Sequence, residues 1–185
     1  MSLPSSTQAI ERDALFERIF DAEYDYVHHS LRRLGVQQRD LEDLAHDVFV
    51  AVYGNLSRYD ETRPIKPWLF AFAFRLASDY RRLARHRTAL GVEPDDVVAS
   101  QPSAEDTAID RQTARLVDRA LDGLPLEQRA VFVMYEIDET SMKDVAETLE
   151  IPVNTAYSRL RLARAAFAEA VRRERDTEGS AHEPA

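Results

Sequence analysis

The stretch "LEIPVNTAYSRLRLARAAF", residues 149–167, decides how this chain is read. Ala156, Leu160 and Ala163 recur at i, i+4 and i+7, so a helix starting near Val153 has one inward face. Its other face offers Thr155, Tyr157, Ser158, Arg161 and Arg164. Upstream, Met142, Val145, Ala146 and Leu149 give a shorter helix an inner face of its own. Ser141 with Asp144 resembles a capping box for that helix, and Ile151 and Val153 anchor the turn between the two. Two crossed helices joined by a short turn, the second with polar side chains outward, form the helix-turn-helix layout, whose second helix enters a major groove. An ordinary helical hairpin has the same apolar spacing. The outward chemistry favours the first reading and leaves the hairpin open, because arginine can fork onto guanine and serine or threonine can reach bases or phosphates.

Charge poses a difficulty for that reading. The 185 residues carry a formal net charge of −9, yet DNA is a polyanion. Counting by segment resolves it. Residues 154–175 hold six arginines (159, 161, 164, 172, 173, 175) against Glu169 and Glu174, a net +4, and residues 72–88 hold five arginines (75, 81, 82, 85, 87) against Asp79, again +4. The acids concentrate elsewhere: six with no base between Glu93 and Asp110, and six against Lys143 in residues 136–150. Charges beyond a Debye length, ~8 Å at physiological salt, are largely screened. Two basic helices therefore engage phosphates locally, or else each is a solvated face.

Working outward, the chain reads as helices throughout. Phe16, Ile19, Phe20, Val27, Leu31 and Leu34 keep helical spacing up to a natural stop at Gly35. Asp40 is placed as an N-cap for Leu41, Leu44, Ala45, Val48, Phe49, Val52 and Leu56. "SRYDETRPIKP" (57–67) reads as a loop, with Pro67 in the first turn of the next helix. That helix carries Trp68, Leu69, Phe70, Phe72, Phe74, Leu76, Tyr80 and Leu83; its first half is apolar nearly all round and should be enclosed, and its second half turns basic. Residues 90–110 read as a linker rich in acids, proline and small polar residues. Helical spacing resumes at Leu116, Val117, Ala120, Leu121 and Leu124, and Pro125 starts a helix with Val131, Phe132, Met134 and Tyr135. The expected fold class is all-α: two small helical domains, residues 8–89 and 111–175, joined by a flexible acidic linker, with the helix-turn-helix in the second and a disordered tail at 176–185.

Composition excludes several classes. Five glycines are few for a chain of regularly spaced strands, and with no cysteine there are no disulfides, thiolate zinc sites or cysteine nucleophiles. No apolar run approaches the ~18 residues of a membrane span, and Met1 to Ile10 lack an apolar signal region, which fits a cytoplasmic protein with no membrane insertion. His28, His29, His46, His86 and His182 show no two-histidine metal spacing. There is no glycine-rich phosphate loop and no nucleophile elbow. No catalytic residue, metal or cofactor is expected, and the chain is not read as an enzyme.

Two separate blocks carry a family resemblance. "LDGLPLEQRAVFVMYEID" (121–138) with "SMKDVAETLEIPVNTAYSRLRLAR" (141–164) resembles the promoter-reading C-terminal domain of bacterial sigma factors of the extracytoplasmic-function (ECF) group. "RDLEDLAHDVFVAVYGNLSRYD" (39–60) with "PWLFAFAFRLASDYRR" (67–82) resembles their N-terminal domain. The likeness spans roughly residues 12–172, in the family's order. It implies binding to core RNA polymerase and promoter-specific initiation of transcription. By that resemblance Asp43, His46 and Asp47 would dock on the clamp helices of the polymerase largest subunit, and residues 126–138 would also touch the polymerase flap. Arg75, Asp79, Arg81, Arg82 and Arg85 would meet the −10 element. Most of Trp68, Phe70, Phe72 and Phe74 are assigned to the core rather than to unpaired bases. At the −35 element Tyr157, Ser158 and Arg161 would face bases, Thr155, Arg159 and Arg164 would meet phosphates, and Asn154 would lie close by. An anti-sigma factor is the implied control partner.

The chain departs from the family pattern at four places. Glu150 and Asn154 stand where glycine is frequent, Tyr157 where a basic residue is common, and Arg75 where an asparagine often helps hold a flipped base. The acidic linker, including Asp95, Asp96, Glu105 and Asp106, is either a plain tether or a run that occupies a basic nucleic-acid path in polymerase. Two rivals stay open at this point: a helix-turn-helix repressor or activator with a helical ligand-binding or dimerisation domain, and a helical metal-dependent hydrolase.

Overall fold

The computed structural model describes residues 6–89 and 108–180, and all the regular structure among them is helical. In the first half, α1 (Ser6–Arg33), α2 (Leu41–Asn55) and α3 (Ile65–Ala89) pack on one another. Ile19, Val27, Leu31 and Leu34 of α1 and its exit face Leu41, Ala45, Val48, Phe49 and Val52 of α2 and Leu69, Phe70, Phe72, Ala73 and Ala77 of α3. The apolar first half of α3 is thus enclosed, as its sequence demands. Phe16, Phe20 and Tyr24 surround Phe49, with the Phe20 and Phe49 centroids 4.8 Å apart, and Tyr53 packs edge-on against Phe16.

Gly35 ends α1 with φ +90, where the amides of Gly35 and Val36 donate back to Arg32 O and Leu31 O at 2.9 and 3.1 Å. Only a residue without Cβ holds that conformation cheaply. Asp40 takes the N-cap position of α2, but its side chain makes no cap hydrogen bond. A 3-10 turn (Gln38–Asp40) runs straight into the helix, and the Asp40 carboxylate accepts from the Tyr80 hydroxyl at 2.6 Å instead. Burial, followed by that hydrogen bond, pushes the Tyr80 phenol up to about 12. Tertiary contact between α2 and α3 has taken the carboxylate from its local role.

In the second half, α7 (Val153–Ser180) is the central element. It packs against α4 (Ala108–Asp122), α5 (Leu126–Phe132) and α6 (Met142–Thr148). Phe132 and Phe167 stack at 4.7 Å, and Ala156, Leu160 and Ala163 of α7 are buried. Pro125 is the N-cap residue of α5. Ser141 caps α6 as expected: it accepts from the Asp144 amide at 3.2 Å and donates to Asp144 Oδ2 at 2.6 Å. α4 begins inside the stretch read as linker and α7 continues into the stretch read as tail; residues 90–107 and 181–185 lie outside the described residues.

The halves also touch. α3 packs against α6, and a seam of polar contacts runs between α1, the α2–α3 loop and the second half. The sequence predicts two bundles on a tether and gives no sign of this seam.

Candidate nucleic-acid interface

The N-terminal turns of α7 bury Ala156, Leu160 and Ala163 and turn their other positions outward. Asn154, Tyr157, Ser158 and Arg161 are exposed, Tyr157 by 54%. Thr155 and Arg159 are half-buried at the edge of that face. The Ser158 hydroxyl donates to Asn154 O at 2.9 Å, which leaves its lone pairs outward as acceptors. Arg164 differs from the expectation of a free phosphate contact. Its guanidinium is held by Glu136 at 2.6 Å and lies over the Tyr135 ring. The turn before α7 places Glu150 at φ +53, with Ile151 N bonded to Ala146 O at 2.9 Å. The turn thus keeps a left-handed residue although no glycine stands there.

On α3 the candidate residues separate. Arg75, Asp79 and Arg82 are exposed. Arg75 lies over the Phe72 ring and Asp79 pairs with Arg82 at 2.9 Å. Arg81 turns inward and donates to Leu34 O, 3.3 Å away at the end of α1. The Arg85 side chain lies outside the described residues. Trp68 packs between Tyr59 and Phe72, at 4.9 and 5.0 Å. Phe70 and Phe72 are buried, in keeping with a core assignment. On α2, Asp43, His46 and Asp47 are all exposed on the face opposite Leu41, Ala45, Val48, Phe49 and Val52, beside Val50.

Sequence reasoning missed the seam residues. Arg129 is 1% exposed. It donates to Asp122 Oδ1 at 3.1 Å and to Arg33 O, at the C-terminus of α1, at 3.4 Å. The helix dipole there favours a cation. Burial lowers the Arg129 guanidinium to about 10, and its Nε has no hydrogen-bond partner among the described residues. A Cβ at Gly35 would stand 2.7 Å from Arg129 Nη1, so the bare glycine also admits this arginine. Nearby, Tyr26 donates to Asp138 Oδ2 at 2.9 Å, and Arg33 lies 3.6 Å from the same carboxylate. Arg32 pairs with Asp118 at 3.4 Å, and Arg63 forks onto both oxygens of Glu147 at 2.6 and 2.8 Å. Burial raises the carboxyls of Asp118 and Asp138 despite their arginine neighbours. The π-helical turn Val133–Ile137 and the left-handed Glu139 (φ +53) deliver Asp138 to α1. One signal was available: Arg129 falls at an inward register of its helix, three residues after Leu126 and four before Val133.

Comparison with known proteins supplies an independent line. Sigma-70 region 2 matches residues 19–87 and Sigma-70 region 4 matches residues 114–167. The chain is 27% identical over 171 residues to the ECF RNA polymerase sigma factor SigW of Bacillus subtilis, covering 88% of this chain and 91% of that one. It is 32% identical over 138 residues to the ECF RNA polymerase sigma factor SigE of Mycolicibacterium smegmatis, covering 74% and 53%. The sigma factor RpoE from Bartonella quintana, solved with the anti-sigma factor NepR, has a similar fold, with a TM-score of 0.71 at 19% identity over 85% of this chain and 96% of that one. CnrH, solved with the cytosolic domain of CnrY, gives 0.58 at 23% identity over 85% and 87%.

Proposed function

This chain belongs to the extracytoplasmic-function group of bacterial RNA polymerase sigma factors, and from that premise we propose how its surfaces divide the work. Sigma factors direct transcription initiation; synthesis belongs to the polymerase, and no catalytic residue is assigned here. Residues 8–89 bind core polymerase and the −10 element, and residues 111–175 read the −35 element, with residues 90–110 as the connection. One observation carries the reading: the exposed polar and cationic positions Arg75, Asp79 and Arg82 of α3 and Asn154, Tyr157, Ser158 and Arg161 of α7 fall within the stretches matching regions 2 and 4.

Asp43, His46 and Asp47 form the face offered to the polymerase clamp helices. The carboxylates of Asp43 and Asp47 are exposed and suit basic groups on a partner. The −10 element meets Arg75, Asp79 and Arg82, with Arg81 and Arg85 reaching it from the same helix when the chain is engaged. At the −35 element Tyr157, Ser158 and Arg161 face base edges, and Asn154, Thr155 and Arg159 line the backbone. Arg164 joins them on release from Glu136. Residues 126–138 reach the flap. The protein works in the cytoplasm, and an anti-sigma factor covers it when it is off, as the partners of the two solved neighbours suggest.

The test is run-off transcription with purified core polymerase on DNA selected by the reconstituted holoenzyme. A promoter-specific transcript dependent on this chain is expected. No transcript without a second sigma factor would leave a helix-turn-helix repressor or activator as the reading. Within that assay, Arg161→Ala weakens discrimination at −35 by about 1–3 kcal/mol if its contact is bidentate, and Arg159→Ala weakens all sequences alike. Promoter choice unchanged by Arg161→Ala would mean that α7 is oriented differently in the groove.

A further inference from the structure

α7 opens with apolar side chains on the face that the helix-turn-helix turns outward. Val153 is 42% exposed and Tyr157 54%. The sequence places Val153 beside Ile151 as an anchor of the turn; the structure leaves Ile151 half-buried and turns Val153 to solvent. Val153, Tyr157 and Arg161 are spaced by four, so they form one line along the helix. At ~1.5 Å of rise per residue, their positions lie about 6 Å apart along the axis. Asn154 and Ser158, both exposed, flank the line.

A lone exposed valine or tyrosine is ordinary on a protein surface. Two in register, on the first two turns of the helix that enters a groove, need a partner there. The major groove presents hydrogen-bond donors and acceptors and one apolar group, the C5 methyl of thymine. The polar neighbours of the line suit the rest of such a site. The Ser158 hydroxyl donates to Asn154 O at 2.9 Å and keeps its lone pairs for a base, and Arg161 brings a cation one turn further on. Tyr157 carries no charge, so it displaces no counterion and adds nothing to the sequence-independent attraction. What it gains from DNA depends on which base it meets.

We propose that Tyr157, supported by Val153, reads thymine in the −35 element by packing its ring against the C5 methyl. This deepens the proposed function and rests on α7 as the reader of that element. The chain then selects thymine at the position where the family more often brings a basic residue. Val153 closes the side of the contact away from Arg161 and keeps water from the methyl. Discrimination along the line combines two chemistries: apolar contact at the start of α7 and hydrogen bonds at Ser158 and Arg161.

The test uses holoenzyme reconstituted from this chain and core polymerase, on duplex DNA that it selects, with affinity read by fluorescence anisotropy. Each thymine of the −35 element is replaced in turn by deoxyuridine, which removes the methyl and keeps the base pair. At one position binding should weaken about fourfold, the factor that burial of a single methyl group carries. Tyr157→Ala should weaken binding to the unmodified promoter and abolish that difference, Val153→Ala should shrink it, and Tyr157→Phe should preserve it. Both side chains are exposed, so none of these changes opens the core. The proposal is overturned by a selected −35 element without thymine, by a deoxyuridine series that leaves binding unchanged, or by a methyl effect that survives Tyr157→Ala. Loss of the effect in Tyr157→Phe also overturns it, since the hydroxyl would then be the reading group. Deoxyuridine in the −10 element should act alike on wild type and Tyr157→Ala; a dependence on Tyr157 there places the side chain elsewhere and overturns the assignment. Selection repeated with Tyr157→Arg should exchange that thymine for guanine, and retention of thymine counts against Tyr157. Wild-type run-off transcription on the same DNA separates the two readings. A transcript without a methyl effect sinks only the thymine contact, and binding without a transcript sinks the sigma-factor role.

Discussion

The inside of each half and the seam between the halves are built from different chemistry. Inside, Leu31, Phe49, Leu69 and Phe70 of the first half, and Val131, Ala156 and Leu160 of the second, are buried in apolar surroundings. At the seam, Arg32, Arg33 and Arg63 of the first half meet Asp118, Asp138 and Glu147 of the second, and Arg129 of the second half reaches Arg33 O. Apolar burial contributes about 25 cal/mol per Å² and has no competitor in water. Ion pairs exchange one set of polar partners for another and net little. The difference means that each half should hold its shape while the contact between halves is weak. That division suits the proposed role, in which α3 and α7 address separate DNA elements.

The comparison is broken most severely from the inside. Leu31→Ala removes a fully buried side chain and should cost about 3 kcal/mol in urea unfolding. A much smaller loss would show that the first half repacks and is looser than its burial implies. Gly35→Ala strikes both regions at once. It puts a Cβ at φ +90 and 2.7 Å from Arg129 Nη1, and should cost about 2 kcal/mol. The paired change Gly35→Ala with Arg129→Ala separates strain from clash, since only the clash is relieved. Arg129→Met sharpens the contrast further. It keeps the aliphatic bulk and removes the desolvated guanidinium, so stability should change by less than about 1 kcal/mol or rise. A loss of several kcal/mol would show that the seam is a structural core after all. The smallest effect is expected at the helix-turn-helix. Glu150→Gly relieves a left-handed residue (φ +53) and should stabilise the second half by about 0.5–1 kcal/mol in thermal melts, with no change at the seam.

Much of each half was legible because helices write their packing locally. Val27, Leu31 and Leu34, or Ala156, Leu160 and Ala163, lie three, four or seven residues apart, so the inward face can be read without knowing what covers it. Gly35 and Ser141 mark an end and a start through backbone geometry that depends on few neighbours. Asp40 takes the N-cap position that its sequence context indicates, but no side-chain cap bond forms because a distant Tyr80 hydroxyl competes for the same carboxylate. Arg81 and Arg164 were assigned to DNA by the family resemblance, yet Leu34 O and Glu136 engage them in this arrangement. Charge alone does not fix direction, since a long cationic side chain turns toward whichever partner packing brings near.

By itself the sequence determined the all-helical architecture, the helix-turn-helix and the outward character of Asp43, His46, Asp47, Tyr157 and Arg161, because each follows from spacing within one or two helices. Only the tertiary structure decided which charges meet. Tyr26 and Asp138 are separated by 112 residues and Arg63 and Glu147 by 84, and any of several carboxylates satisfies an arginine equally well in the linear code. Pairing across such distances is selected by how whole helices dock, a property that no local periodicity contains.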